Sequence, residues 1–346
     1  MHRPTRSVRG DARSAAMVAS AVAAALLLAA CSGGATTPGT SGSGSGASPT
    51  TSGSAGSPSP TVSPTPPAGY GTLDGLPMAT LAQVRRPIVV VDVGWQAGAA
   101  TPTGLGQADV VYQEFDSAGH SRLVVGYQSQ DSSSVGPVAA TAPVDWRITS
   151  LWALPVLAFA GGPTGFVKQV GPTVVTPRSS SSFATLFHRS GAFLYASTAA
   201  LRASAPKAAP APAGLLNFGT TASQSPHARK VSRLTVSVPG QPTQTWVWNG
   251  RLWTGPGGVT ATSVVVQDVT YKSLKPAKDP AVASAQVLGS GQGVVVTGNA
   301  GLGCAWYRRE LVDITNFVDA GSQPIRLLPG RSWIILAPPG TKAVLA

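Results

Sequence analysis

From Tyr70 onward the chain alternates short apolar runs with polar or Gly- and Pro-rich joints. Ile88-Val89-Val90-Val91-Asp92-Val93 is nearly continuous in β-branched residues, the pattern of a strand covered on both faces. Asp109 to Phe115 and Arg122 to Gln128 predict two more strands, and Trp152 to Ala160 is a fourth apolar run, closed by Gly161-Gly162-Pro163. Helical spacing is thin and falls on Val144 to Leu151 and Ser197 to Ala203. After about residue 230 the spacing shortens. Leu234–Val238, Thr245–Trp248, Ser263–Val269, Gly293–Thr297, Cys304–Tyr307, Ile325–Leu328 and Trp333–Leu336 predict strands separated by turns. Trp246 to Trp253, with Asn249-Gly250 in its middle, predicts a hairpin. Its alternating tryptophans fit a cross-strand aromatic pair, or else a platform for stacking sugars. The expected fold is therefore an α/β N-terminal domain over residues 70–215 and a smaller β-rich domain over 230–346, α+β overall. The Pro- and Ala-rich stretch 207–214 lies between them.

The first 69 residues read differently. Arg3, Arg6, Arg9 and Arg13 precede an apolar segment, Ala15 to Ala30, that is too short to span a bilayer. It ends Leu28-Ala29-Ala30-Cys31, which resembles the lipobox of bacterial lipoproteins. That resemblance implies a signal peptide over 1–30, cleavage before Cys31 and acyl chains on Cys31, so that the protein is anchored to the extracytoplasmic face of the membrane. Residues 32–69 contain only Ser, Gly, Thr, Pro, Ala and one Val, without charge. Such a segment cannot bury enough surface to fold. As a disordered tether beginning at Cys31 it reaches roughly 30–40 Å.

The full chain has a net charge of +12, and losing the leader's four arginines and Asp11 leaves +9. The basic residues are scattered, with no basic run interleaved with aromatics, so nucleic acid is not an expected partner; anionic lipid or wall polymers are. With Cys31 acylated, Cys304 is the one remaining thiol and no internal disulfide can form. Its apolar setting, Gly303-Cys304-Ala305-Trp306, reads as a core position, although a nucleophile is the alternative.

Familiar catalytic patterns are missing. His120, His188 and His227 stand at no metal-ligand spacing, and neither a metal nor a cofactor is expected. Glu114 and Asp116 would share one strand face as a carboxylate pair, or sit at solvated edge positions. The serine–lysine spacing Ser204 to Lys207 is interrupted by Pro206. Gly289 to Gly293 and Gly298 to Gly303 read as β-turns rather than phosphate loops, since the first leads into Val294-Val295-Val296 and not into a helix.

Several motifs in order carry a family resemblance. Arg86 to Asp92, Thr103 to Tyr112, Gly119 to Leu123, Tyr127 to Gln130, Val135 to Val138, Gly161-Gly162, Trp306 to Arg308 and Gln323 to Ile334 together resemble the YerB-like lipoproteins, which carry the domain of unknown function 3048. The resemblance covers about residues 75–340 and implies two domains, but no activity. Where the family follows Gly-Pro-Val with Arg-Ser-Ala-Arg, this chain has Ala139, Ala140, Thr141 and Ala142. The family's His before the Gly-Gly pair falls on Phe159, its Pro-His-Asn on Gly191, Ala192 and Phe193, and its acidic residue on Ser117. Arg clamps anions and His carries protons. Residues 132–148 are therefore expected to keep the shape of a site without its polar equipment.

Candidate binding residues are Asp92, Arg122, Gly136, Pro137, Asp145, Gly161, Gly162 and Tyr195, with no catalytic residue assigned. The expected function is a non-enzymatic binding or scaffold module of the cell envelope, whose partner is a wall-synthesis protein or a wall glycan. Two alternatives stay open. One is an enzyme on an anionic envelope substrate using Asp92, Arg122, Asp145 and Tyr195; the other is a solute-binding lipoprotein.

Overall fold

The computed structural model describes residues 69–95, 102–116, 120–169, 174–207, 214–219, 225–275 and 281–346. The leader, Cys31, all of the tether but Gly69, and Ser117 lie outside the described residues.

The apolar runs become the middle of one large mixed sheet. In chain order the strands used below are β1 (Val89–Gly94), β2 (Val110–Phe115), β3 (Ser121–Tyr127), β4 (Val156–Phe159), β5 (Thr176–Ser179), and the hairpin β6 (Phe187–Ser190) and β7 (Phe193–Ala196). There follow β8 (Arg229–Lys230), β9 (Arg233–Ser237), β10 (Gln244–Trp248), β11 (Trp253–Thr254), β12 (Thr260–Ala261), β13 (Ser263–Asp268), β14 (Gly289–Thr297), β15 (Ala300–Arg308), β16 (Ser332–Ala337) and β17 (Lys342–Leu345). The helices that matter below are α1 (Pro143–Thr149) and α2 (Thr198–Ala203). The large sheet runs β8-β15-β14-β13-β16-β2-β3-β1-β4-β5, and a second sheet runs β12-β11-β10-β9-β17. Among the described residues no helix is long and apolar enough to cross a membrane.

The sheet crosses the boundary between the two expected domains. β16, from the C-terminal stretch, lies parallel to β13 on one side and to β2 on the other, placing Ser332 opposite Val110 and Trp333 opposite Val111. Buried Val, Ile and Leu on both faces of these central strands form two apolar layers. On one side Trp246 and Trp253 of the second sheet close over Trp333. The α/β expectation for residues 70–215 is correspondingly coarse. The protein is mostly β-strand (43%) with few helices (13%), and the helices of the first half are single short segments, of which Thr164–Gln169 lies on the connection between the parallel strands β4 and β5.

Other expectations shift for local reasons. The run Trp152 to Ala160 yields a strand only from Val156, because Ala153 and Leu154 both adopt positive φ ahead of Pro155. Ile325–Leu328 is not a strand. Ile325 and Leu327 are buried, but flanking Pro324 and Pro329 lack the N–H groups a ladder needs. Gly289 to Gly293 is not a turn but the first part of the long strand β14; the turn is Gly298-Asn299, between β14 and β15. The tryptophan hairpin forms, with a four-residue loop in which Asn249 Oδ1 accepts the N–H groups of Arg251 and Leu252. Trp248 and Trp253 meet across it at 5.7 Å. Trp246 and Trp253 are fully buried, which leaves no sugar platform there. Cys304 is buried too, and desolvation pushes its thiol up to about 12, the property of an unreactive core residue.

Candidate functional site

Strand register assembles the site. In β3, Arg122 stands opposite Glu114 of β2 and opposite Gly94 of β1, and Asp92 sits two residues before Gly94. With a period of two, Asp92, Glu114 and Arg122 share one face at one end of the sheet. The segment from Gly136 to Ala142 then crosses that end. Pro137 O accepts the Gly94 N–H at 2.9 Å, Ala139 donates to Asp92 O at 2.7 Å, and Thr141 donates to Gly161 O at 2.9 Å. The Gly136–Pro137 peptide is cis. Only a glycine fits at 136, because a Cβ there would lie 2.7 Å from Leu194 O and from the Tyr195 ring. Gly162, at φ +145°, lets Thr141 pass equally closely.

Pro143 opens α1, and Asp145 occupies its first turn, where it accepts the Ala142 N–H and the Thr141 hydroxyl at 2.8 Å. Asp145 is fully buried and holds Arg122 with both oxygens, one of them 2.9 Å from Nη1 and the other bonded to Nη2. Nη2 also reaches Glu114, Nη1 donates to Ala140 O at 2.9 Å, and Asp92 lies 3.7 Å from Nη1. Three carboxylates thus surround one guanidinium.

Asp92 is the member least compensated. Neither of its oxygens has a hydrogen-bond partner, and it has no exposure to water. Burial first, and the Asp145 carboxylate second, hold its pKa well above the ordinary carboxylate range, although Arg122 pulls the other way. Burial opposes the charge on Arg122 as well, but Asp145 and Asp92 more than offset it and the guanidinium stays charged. A group whose folded pKa is raised contributes fully at pH values below its unfolded pKa, near 3.8, and that contribution is lost as pH rises through the folded value. Asp92→Asn is therefore expected to match the wild type in urea unfolding near pH 4 and to exceed it increasingly toward neutral and alkaline pH. A variant less stable at every pH would show that Asp92 is needed as a carboxylate.

Above this cluster opens a cleft of about 710 Å³. Trp95, Pro102, Pro137, Ala139, Phe193 and Tyr195 supply apolar wall, with Arg122, Ser121, Thr103, His120 and Asp116 among them. Phe193 is 57% exposed, and Tyr195 stacks on His188 with ring centres 5.8 Å apart. The cleft lies where β1 ends, consistent with the tendency of sites to form at strand ends. Its chemistry is limited. Four of the five Arg122 donors are taken by Ala140, Glu114 and Asp145, so only Nε–H is left to serve a ligand, and a bidentate grip on an anion is not available. His120 pairs with Asp116 at 3.2 Å, but the adjacent Ser121 hydroxyl accepts from Gln113 Nε2 at 3.0 Å, and no nucleophile–base contact forms. Among the described residues no group of three or more His, Cys, Asp or Glu is arranged to hold a metal ion.

Asp92, Arg122 and Asp145 come together, and Gly136, Pro137 and Tyr195 line the cleft. Gly161 and Gly162 do not line it; they support the segment behind it. Glu114 is misplaced by the solvated-edge expectation, because β16 covers β2 and makes it an interior strand. Trp95, His120 and Phe193 line the cleft as well, outside the expected site residues. Ala139 stands in the cleft wall and Phe159 is a core residue.

The model described as protein of unknown function (DUF3048) N-terminal domain matches residues 73–211, and that of the DUF3048 C-terminal domain matches residues 254–334. The crystal structure of YerB protein from Bacillus subtilis is similar with a TM-score of 0.67 and 17% identity, over 80% of this chain and 99% of that one, a likeness of fold alone. No curated protein matches.

Proposed function

The chain belongs to the DUF3048 family and carries both of its domains in order, and we propose, on the separate grounds of its cleft and its N-terminal sequence, that it is a lipid-anchored binding protein on the extracytoplasmic face of the membrane. In this reading it has no chemistry of its own, and its cleft holds an uncharged stretch of wall glycan. The observation that carries the reading is the cleft itself. It has the volume of a small-ligand site, its walls are aromatic and apolar, and its one cation is already neutralised. Sugar rings present apolar faces to aromatic side chains and hydroxyls to single donors such as the Arg122 Nε–H. A phosphorylated or carboxylated substrate would instead need a free guanidinium fork. The membrane anchor rests on the Leu-Ala-Ala-Cys31 sequence and the uncharged tether after it.

Two results test this. Phe193→Ala is expected to weaken co-sedimentation of the full chain with purified wall sacculi by about tenfold, the equivalent of one lost aromatic contact of about 1.4 kcal/mol. Unchanged binding would remove the cleft from the interaction. Cys31→Ala is expected to shift the protein from the membrane to the soluble fraction, and retention in the membrane would overturn the anchor.

A further inference from the structure

A second hollow, of about 180 Å³, lies beside the aromatic cleft. Gly104 and Gly106, between β1 and β2, line it together with Gly257, Gly258 and Thr260 at the start of β12, and Arg331 stands among them. Pro102 is in the wall of both hollows, with Thr103 on the cleft side of it and Gly104 on the other. Trp95, which lines the cleft, meets Trp333, which lines the second hollow, edge-on at 5.8 Å. The two hollows are therefore neighbours, one belonging to the first half of the chain and the other built from both halves.

The second hollow is held open by a rigid frame. Arg331 donates through Nε to Ala108 O at 2.7 Å and through Nη2 to Gly106 O, and its Nη1 donates to Thr260 O at 2.9 Å and Thr260 Oγ1 at 3.2 Å. One guanidinium thus ties the two walls together. The Tyr127 hydroxyl fixes Gly104 O at 3.0 Å, and Gly104 takes a φ of +85°, where a Cβ would lie 2.8 Å from Ser134 O. At Gly106 and Gly258 the reason for glycine is different. A Cβ there would meet nothing within 4 Å, so the space exists because the side chains are missing, as where a backbone must let a ligand approach closely. Four of the five Arg331 donors are spent on these oxygens, so Arg331, like Arg122, has no fork to offer an anion.

We propose that the second hollow is a further subsite of the cleft, and that the ligand is a glycan chain laid past Pro102 across both halves of the protein rather than a single sugar. This rests on the reading of the cleft as a glycan site. Two hollows side by side, neither with a free guanidinium fork, suit a ligand whose uncharged unit repeats along its length. The aromatic cleft takes one part of the chain, and the glycine-walled hollow has room for a ring of the next.

The test is calorimetric titration of the full chain with β-1,4-linked N-acetylglucosamine oligomers, the disaccharide and the hexasaccharide. The hexasaccharide is expected to bind at least tenfold more tightly than the disaccharide. Gly106→Trp, which adds an indole at the wall of the second hollow, is expected to reduce the hexasaccharide to the affinity of the disaccharide and to leave the disaccharide unchanged. Gly106 is exposed, its φ is outside the left-handed region and its carbonyl still accepts Arg331, so the variant is expected to keep the wild-type thermal midpoint. Phe193→Ala is expected to weaken both oligomers. Equal affinity for the two lengths in the wild type, or an unchanged hexasaccharide in a folded Gly106→Trp, would overturn the subsite while the cleft stands, provided Phe193→Ala weakens binding. No saturable binding of either oligomer, or no effect of Phe193→Ala on either, would overturn the glycan reading of the cleft and the subsite with it.

Discussion

Replacing Arg122 with Met is expected to lower the unfolding free energy by about 3–5 kcal/mol, the range found when one partner of a buried ion pair is removed. Met preserves much of the side chain's length, so the loss reports charge rather than volume. Asp145, Glu114 and Asp92 would be stranded around an apolar tip, two of them having lost their direct guanidinium bonds. Carboxylates left without a cation are favoured in their protonated form, so the variant's stability is present at low pH and lost as pH rises. The deficit against wild type should therefore shrink on acidification. Urea midpoints at pH 4 and pH 7 measure both parts. A loss below about 1 kcal/mol at pH 7, or a deficit independent of pH, would mean that the cluster does not hold its charges as described.

Trp333→Ala is expected to cost about 3–5 kcal/mol as well, here through a cavity. The indole is fully buried in β16, packs on Trp246 at 5.3 Å and edge-on against Trp95 at 5.8 Å, and donates through Nε1 to Gln113 Oε1 at 3.1 Å. Truncation empties the middle of this aromatic cluster and leaves the Gln113 oxygen without its donor. Since β16 joins the strands of both halves, the damage is shared. One unfolding transition is expected, with coincident midpoints in far-UV and near-UV circular dichroism. Two separated transitions would show that the halves unfold independently in spite of the common sheet.

The strands of the first half are legible because burial on both faces leaves an unbroken apolar signature, as in Val89-Val90-Val91. Their neighbours are not legible. The parallel pairing of Trp333 with Val111 joins residues more than two hundred positions apart, and nothing local in either strand specifies it. That single non-local fact is what turns Glu114 from an apparent edge carboxylate into a buried partner of Arg122. Within the site, Asp92, Arg122 and Asp145 stand out from the sequence as charges inside apolar or helix-starting contexts, where an unpaired charge is expensive. Phe193 carries no such signal. It follows Gly191-Ala192 at the tip of the β6–β7 hairpin, and its exposure depends on that hairpin folding back over Gly136. The emptiness expected of residues 132–148 is also only half of what the structure contains. Ala139 widens the cleft wall, but Ala140 and Thr141 engage the buried charges through a carbonyl and a hydroxyl.

The central claim, that the aromatic cleft is where the protein meets its ligand, is tested most directly by photo-cross-linking in living cells. The full chain would carry benzoylphenylalanine in place of Phe193, with a matched control at exposed Val312, and captured material would be identified by mass spectrometry. Wall-glycan fragments attached through position 193 and absent at position 312 are the predicted result. Equal capture at the two positions, or capture of a protein at 193 with no glycan, would contradict it.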